Sequence, residues 1–178
     1  HPAMPVLDPQ AGYTLQFSVA APTERHVSTH RAGFSVLVVG EDYGSIELGF
    51  WTNEIWAQSG PNPLDPDEAL FTRAERSGAF DTTTLTSYEL RVLGDGYSLW
   101  SDSTELLSGL LRDYSSHSHP VYSMPNTIFV GDDTGSASTV ADVHYVAVTT
   151  GVVPEPSAWL LLIGIGVVGC LARRRRGG

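Results

Sequence analysis

Apolar and polar positions alternate with a period of two along much of the chain between residues 12 and 150. Tyr13, Leu15, Phe17 and Val19 alternate with Thr14, Gln16 and Ser18, as in a strand with one buried face. Residues 33–39 are apolar and β-branched, Ser45–Trp51 puts Ile46, Leu48 and Phe50 on one face, and 55–58 follows a tight link. Strands are also predicted over 71–75, 87–93, 97–100, 106–111, Thr127–Gly131 and 142–150. Turn-forming Gly, Asp and Asn punctuate the set at intervals of about 8 to 12 residues. Only 66–70 has the composition of a helical turn. Short strands without intervening helices predict an all-β antiparallel sandwich or barrel.

Parity along the strands singles out four side chains. Glu47 and Trp51 face away from Ile46, Leu48 and Phe50, Trp56 opposes Ile55, and Trp100 opposes Leu99. A two-residue loop at Asn53-Glu54 would pair residue 51 with 56. Exposed, Trp51, Trp56 and Trp100 with Glu47 would offer an apolar plate beside a carboxylate, the chemistry of a pyranose-binding surface. Shielded under a loop, the same rings would be core packing.

Charge narrows the partners. Residues 1–152 carry six arginines and nineteen acidic residues, a formal charge of −13, and there is no lysine in the chain. Such a body repels phosphate backbones, so nucleic-acid binding is not expected. The acidic loops raise the question of calcium, which takes hard oxygen ligands. Asp132 and Asp133 are the foremost candidates, followed by Glu41 and Asp42, and by Asp65, Asp67 and Glu68. None matches a defined calcium loop, and Asp also caps turns through local backbone bonds. His117 and His119, in Ser-Ser-His-Ser-His-Pro, read as a solvated loop rather than as a metal site. The single cysteine, Cys170, forbids an intrachain disulfide and any cysteine-based zinc spacing.

Catalysis is not expected from the motifs. Glu47 has Ser45 and Gly49 at its i±2 positions, and Glu89 has Ser87 and Arg91, so no strand carries paired carboxylates of the kind glycoside hydrolysis uses. Gly-x-Ser-x-Gly, His-Glu-x-x-His and phosphate-loop patterns do not occur.

The C-terminal residues differ from the strand pattern. Val153, Pro154, Glu155 and Pro156 form a stiff extended segment, because each proline fixes φ and restricts its predecessor. From Ala158 to Ala172 every residue is uncharged and almost all are apolar. As a helix this stretch would span roughly 22 Å, short of the ~30 Å hydrocarbon core of a bilayer. Trp159 suits one interface, and Arg173, Arg174, Arg175 and Arg176 would hold the other end in the cytoplasm.

A Pro-Glu-Pro signal, a short apolar span and a terminal arginine cluster, in that order, resemble the PEP-CTERM sorting signal. That resemblance implies recognition by an exosortase, a membrane-embedded cysteine protease, with cleavage near Pro154-Glu155-Pro156. It further implies a single-pass inner-membrane intermediate, then delivery to the surface or extracellular matrix of a Gram-negative, exopolysaccharide-making bacterium. The chain begins His-Pro-Ala-Met without an export signal, so a signal peptide is expected upstream.

The body has its own likeness. Residues 44–51 with 55–56, the pair 88–92 and 97–102 around Gly94-Asp95-Gly96, and the closing 129–133 and 142–148 resemble the paired strands of laminin-G-like, concanavalin A-like jelly rolls. The resemblance implies a jelly-roll sandwich over 12–150. An N-terminal lead at 1–11 precedes it. A linker at 151–156, a transmembrane helix at 157–172 and an arginine-rich end at 173–178 follow. The expected function is a non-catalytic binding module, its ligand a polysaccharide and its only cofactor calcium, if any. A ligand-free spacer of the cell surface is the alternative, and an envelope glycosidase a weaker one.

Overall fold

The computed structural model describes residues 4–60 and 70–151. They form ten strands and one short 3-10 turn. The strands are β1 (Tyr13–His26), β2 (Ser35–Val39), β3 (Ser45–Trp51), β4 (Glu54–Gln58), β5 (Arg73–Arg76), β6 (Thr86–Leu93), β7 (Gly96–Ser101), β8 (Thr104–Leu110), β9 (Thr127–Gly131) and β10 (Ala137–Thr150). The 3-10 turn, Pro120–Ser123, sits between β8 and β9.

Two five-stranded antiparallel sheets result, in the orders β10-β1-β6-β7-β8 and β5-β4-β3-β2-β9. The chain leaves the first sheet after β1, returns at β6, leaves again for β9 and closes with β10 beside β1. This is the predicted jelly-roll sandwich. Each of the ten predicted segments became a strand, with shifted ends: β1 runs on to His26 and β10 begins at Ala137. The expected helical turn at 66–70 lies almost wholly outside the described residues, as does the tail beyond Gly151.

The period-two alternation builds the core. Leu15, Phe17, Tyr88, Leu90 and Leu99 from one sheet meet Val36, Val38, Ile46, Leu48, Phe50 and Ile55 from the other. Phe17 stacks on Tyr88 at 5.2 Å, and Phe50 meets both edge-on at 6.1 and 5.6 Å. Aromatic pairs of this geometry are worth about 0.5–1.5 kcal/mol each beyond their area burial.

The second sheet also buries its outer face, which places the functional region. Leu37 and Val39 of β2 are covered by Phe71, Tyr114, Val121 and Tyr122, from the segments before β5 and after β8. Trp51 and Trp56 are covered beside Ala32. Gly49 is required here: a Cβ on it would lie 2.7 Å from the Trp56 ring.

Candidate functional site

The face of β3 opposite the core carries Glu47, Gly49 and Trp51, as parity predicts, but it is roofed. Trp56 is 0% exposed, Glu47 1% and Trp51 9%. The expected apolar plate therefore does not form: Trp51 and Trp56 are packing residues. Their pairing also differs from expectation. The hairpin turns at Thr52-Asn53, so Trp51 lies opposite Glu54, and Trp56 opposite Gly49. The rings still meet diagonally, edge to face at 5.8 Å. His26 stacks on Trp51 at 4.1 Å, and the Arg73 guanidinium lies 4.3 Å from its ring. Trp100 faces the opposite side of the molecule, on the outer face of the first sheet. There Arg91 lies over it at 4.8 Å, and its indole N–H donates to Ser98 Oγ at 2.8 Å. Trp100 is thus separated from Trp51, Trp56 and Glu47.

What the fold does bring together is Glu47 and Asp133, singled out in the sequence for different reasons. The Tyr122 hydroxyl lies 2.8 Å from Glu47 Oε2 and 2.6 Å from Asp133 Oδ2. A phenol has one proton to donate. Two short contacts to carboxyl oxygens are satisfied together only when one carboxyl also carries a proton. Burial, then the nearby charge of Asp133, pushes Glu47 up to about 7. Below that value Glu47 carries the extra proton, and it then donates to the phenol oxygen while the phenol donates to Asp133. Burial, reinforced by the two carboxyl groups, pushes the Tyr122 phenol upward as well.

A cavity of about 70 Å³ opens onto this cluster, lined by Arg31, Glu47, Gln58, Phe71, His117, His119, Tyr122, Asp133 and Thr134. Local backbone bonds shape its rim. His117 Nδ1 accepts the His119 N–H at 3.1 Å, and His119 Nδ1 accepts the Val121 N–H at 3.4 Å, capping the 3-10 turn that carries Tyr122. With Nδ1 of both rings used as acceptor, the neutral imidazoles carry their proton on Nε2. Phe71 has φ +57, a left-handed conformation strained for a bulky residue. Its ring packs on Tyr122 at 5.1 Å and on the edge of His117 at 4.8 Å, with the Arg31 guanidinium over it at 5.1 Å. Sequence reasoning missed Tyr122, Arg31 and Phe71, and read His117 and His119 only as a loop. Their one local sign is the pair of histidines running into Pro120, which caps the turn.

Asp65, Asp67 and Glu68 lie outside the described residues, and of the described calcium candidates Asp132, Asp133 and Asp42 are already hydrogen-bonded. Asp132 accepts the Thr134 N–H at 2.9 Å, a turn-forming bond, while Asp133 is engaged by Tyr122. Asp42 likewise caps its own turn through Gly44 N–H at 2.9 Å. Among the described residues no group of three or more His, Cys, Asp or Glu is placed to hold a metal ion.

The sorting-motif residues, Val153 to Pro156 and Arg173 to Arg176, lie outside the described residues, and among the described ones no helix is long and apolar enough to cross a membrane. Residues 152–176 match the family model of the PEP-CTERM protein-sorting motif. That motif implies export, a membrane-anchored intermediate and processing by an exosortase. No curated protein matches the chain. Among solved structures, the chain is similar to the carbohydrate esterase vb_24B_21 of the Shiga toxin-encoding bacteriophage phi24B. That match has 11% identity and a TM-score of 0.53, over 83% of this chain and 71% of that one. A family 7 alginate lyase, A1-II', aligns over 86% of this chain and 66% of its own, with 11% identity and a TM-score of 0.49. Sheep galectin-11 aligns over 79% and 91%, with 7% identity and a TM-score of 0.45. At such identities the likeness concerns the fold. The chain is a jelly-roll sandwich protein that carries a PEP-CTERM protein-sorting motif at residues 152–176.

Proposed function

We propose that this is a surface or extracellular-matrix protein of a Gram-negative bacterium whose jelly-roll body binds extracellular polysaccharide, without cleaving it, in the cleft over Glu47. The observation that carries this reading is the lining of that cleft. Donors (Arg31, and Nε2 of His117 and His119), acceptors (Asp133, Thr134) and an aromatic ring (Phe71) converge on one cavity. Sugar hydroxyls need donors and acceptors together, and their CH faces need an apolar wall. The spacing of the carboxyl groups favours binding over hydrolysis. With one phenol oxygen 2.8 Å from Glu47 Oε2 and 2.6 Å from Asp133 Oδ2, those two oxygens are at most 5.4 Å apart. The phenol fills the gap between them, where a glycosidase pair would need the scissile bond.

Glycan-array screening of the full chain in detergent tests the reading. Specific binding to polysaccharide fragments that weakens in Tyr122→Phe and Thr134→Val, with no release of shorter products, is the expected result. Absence of binding to any glycan, or binding unchanged in both variants, would refute it.

A further inference from the structure

We propose that the cleft selects acidic saccharides, with Arg31 holding the carboxylate of a uronic acid unit; this rests on the cleft being a saccharide site. The body is strongly acidic, and four of its other arginines are committed, while Arg25 is an exposed residue near the end of β1 and is not in the cleft lining. Arg73 and Arg76 pair with Glu54, Arg91 with Glu89 and Arg112 with Glu75. Arg31 differs. Among the described residues no carboxylate lies within ion-pair distance of its guanidinium. Its Nη1 donates to the carbonyls of His30 and Phe71, both at 3.0 Å, and the plane rests over the Phe71 ring. These contacts fix the group without neutralising it. Nε and Nη2 make no hydrogen bond among the described residues, and that edge of a guanidinium matches the two oxygens of a carboxylate.

The surroundings agree with an anionic guest. His117 shares the Phe71 ring with Arg31 and brings an Nε2–H donor to the same cavity. Below about pH 7 Glu47, which would otherwise oppose a carboxylate, holds a proton in the hydrogen-bonded row to Tyr122. Asp133 is the anion that remains in the lining, and its Oδ2 is taken up by the Tyr122 hydroxyl. Carbonyl and stacking contacts hold an unpaired guanidinium in place at some cost in desolvation, which a ligand carboxylate recovers.

The test compares two probes of equal length and backbone: a galacturonate hexamer and its fully methyl-esterified form, which keeps the shape and removes the charge. Calorimetric titration of the full chain in detergent at 0.15 M salt, where the Debye length is ≈ 8 Å, screens the remote acidic surface. The free acid is expected to bind at least about tenfold more tightly than the ester. Arg31→Gln is expected to abolish that preference, bringing the affinity for the acid down to that for the ester. Arg31→Lys, which keeps the charge but not the fork, is expected to retain part of it. Melting curves of each variant report whether the fold survives. Equal affinity for acid and ester, or an acid preference that persists in Arg31→Gln, overturns the assignment of Arg31 while leaving saccharide binding intact. Absence of binding by either probe, together with a blank glycan array, overturns both.

Discussion

Glu47 and Asp133 meet across a single hydroxyl, that of Tyr122, at 2.8 and 2.6 Å. One carboxyl comes from the middle of β3 and the other from the link after β9, so the contact exists only in the folded chain. Its chemistry is that of two acids and one phenol sharing protons in a largely dry setting, and it fixes how stability responds to pH.

Stability is expected to fall as pH rises from about 4.5 to about 7. The folded value of Glu47 is near 7, above its ordinary 4.5, so the folded chain holds a proton that the unfolded chain releases. The contribution is fully present below the lower value, declines through the window and is absent above it. It amounts to roughly 3 kcal/mol at most. Thermal melting at pH 5 and pH 8 reads it, with Glu47→Gln expected to flatten the slope. Parallel slopes in the two proteins would exclude a shared proton.

Removing the hydroxyl should be costly. Tyr122→Phe leaves both carboxyl groups without their common partner, and a buried polar group left unsatisfied costs about 1–3 kcal/mol. Combined with Glu47→Gln, the losses should be non-additive by roughly 0.5–3 kcal/mol, as for residues of one network. Additive losses in denaturant titration would mean that the two groups act separately.

The tryptophans should divide sharply. Trp56→Ala empties a fully buried site and is expected to destabilise by about 3–5 kcal/mol. Trp100→Ala, on the outer face of the first sheet, should cost far less, within about 1 kcal/mol. Comparable losses would contradict their opposite placements.

The body should fold without its tail. The Gly151 N–H donates to Gly12 O at 3.0 Å, closing the β1–β10 ladder one residue before the sorting motif begins. A chain ending at Gly151 is expected to be soluble and to melt in one cooperative transition. Aggregation of that chain, with the full chain folded in detergent, would make the tail part of the core.

The strands were legible because alternation is a local signal: Leu15 and Phe17, or Leu48 and Phe50, declare their face without reference to the rest of the chain. Parity also placed Glu47, Trp51 and Trp56 on a shared face. It did not say what covers that face, since the cover comes from Phe71, Tyr114 and Tyr122, in segments without periodicity. The hairpin register was misread because Asn53-Glu54 and Thr52-Asn53 are both feasible turns, and the choice shifts every partner. Glu47 and Asp133 were each noticed, yet their meeting depends on where β9 ends relative to β3. Arg31 gave no sign, because its lack of a carboxylate partner among the described residues is a matter of what fails to approach it in space.

β10 joins the folded body to the sorted tail, and its twelve paired residues against β1 run from Ala137 opposite His26 to Thr150 opposite Tyr13. Tension drawn along the strand axis loads all of those pairs in shear at once. Tension drawn across the axis opens them singly, beginning at Thr150. The angle at which the chain is pulled from Thr150 therefore sets the mechanical strength of that end of the body, and decides whether a load is shared by the ladder or falls on its last rung.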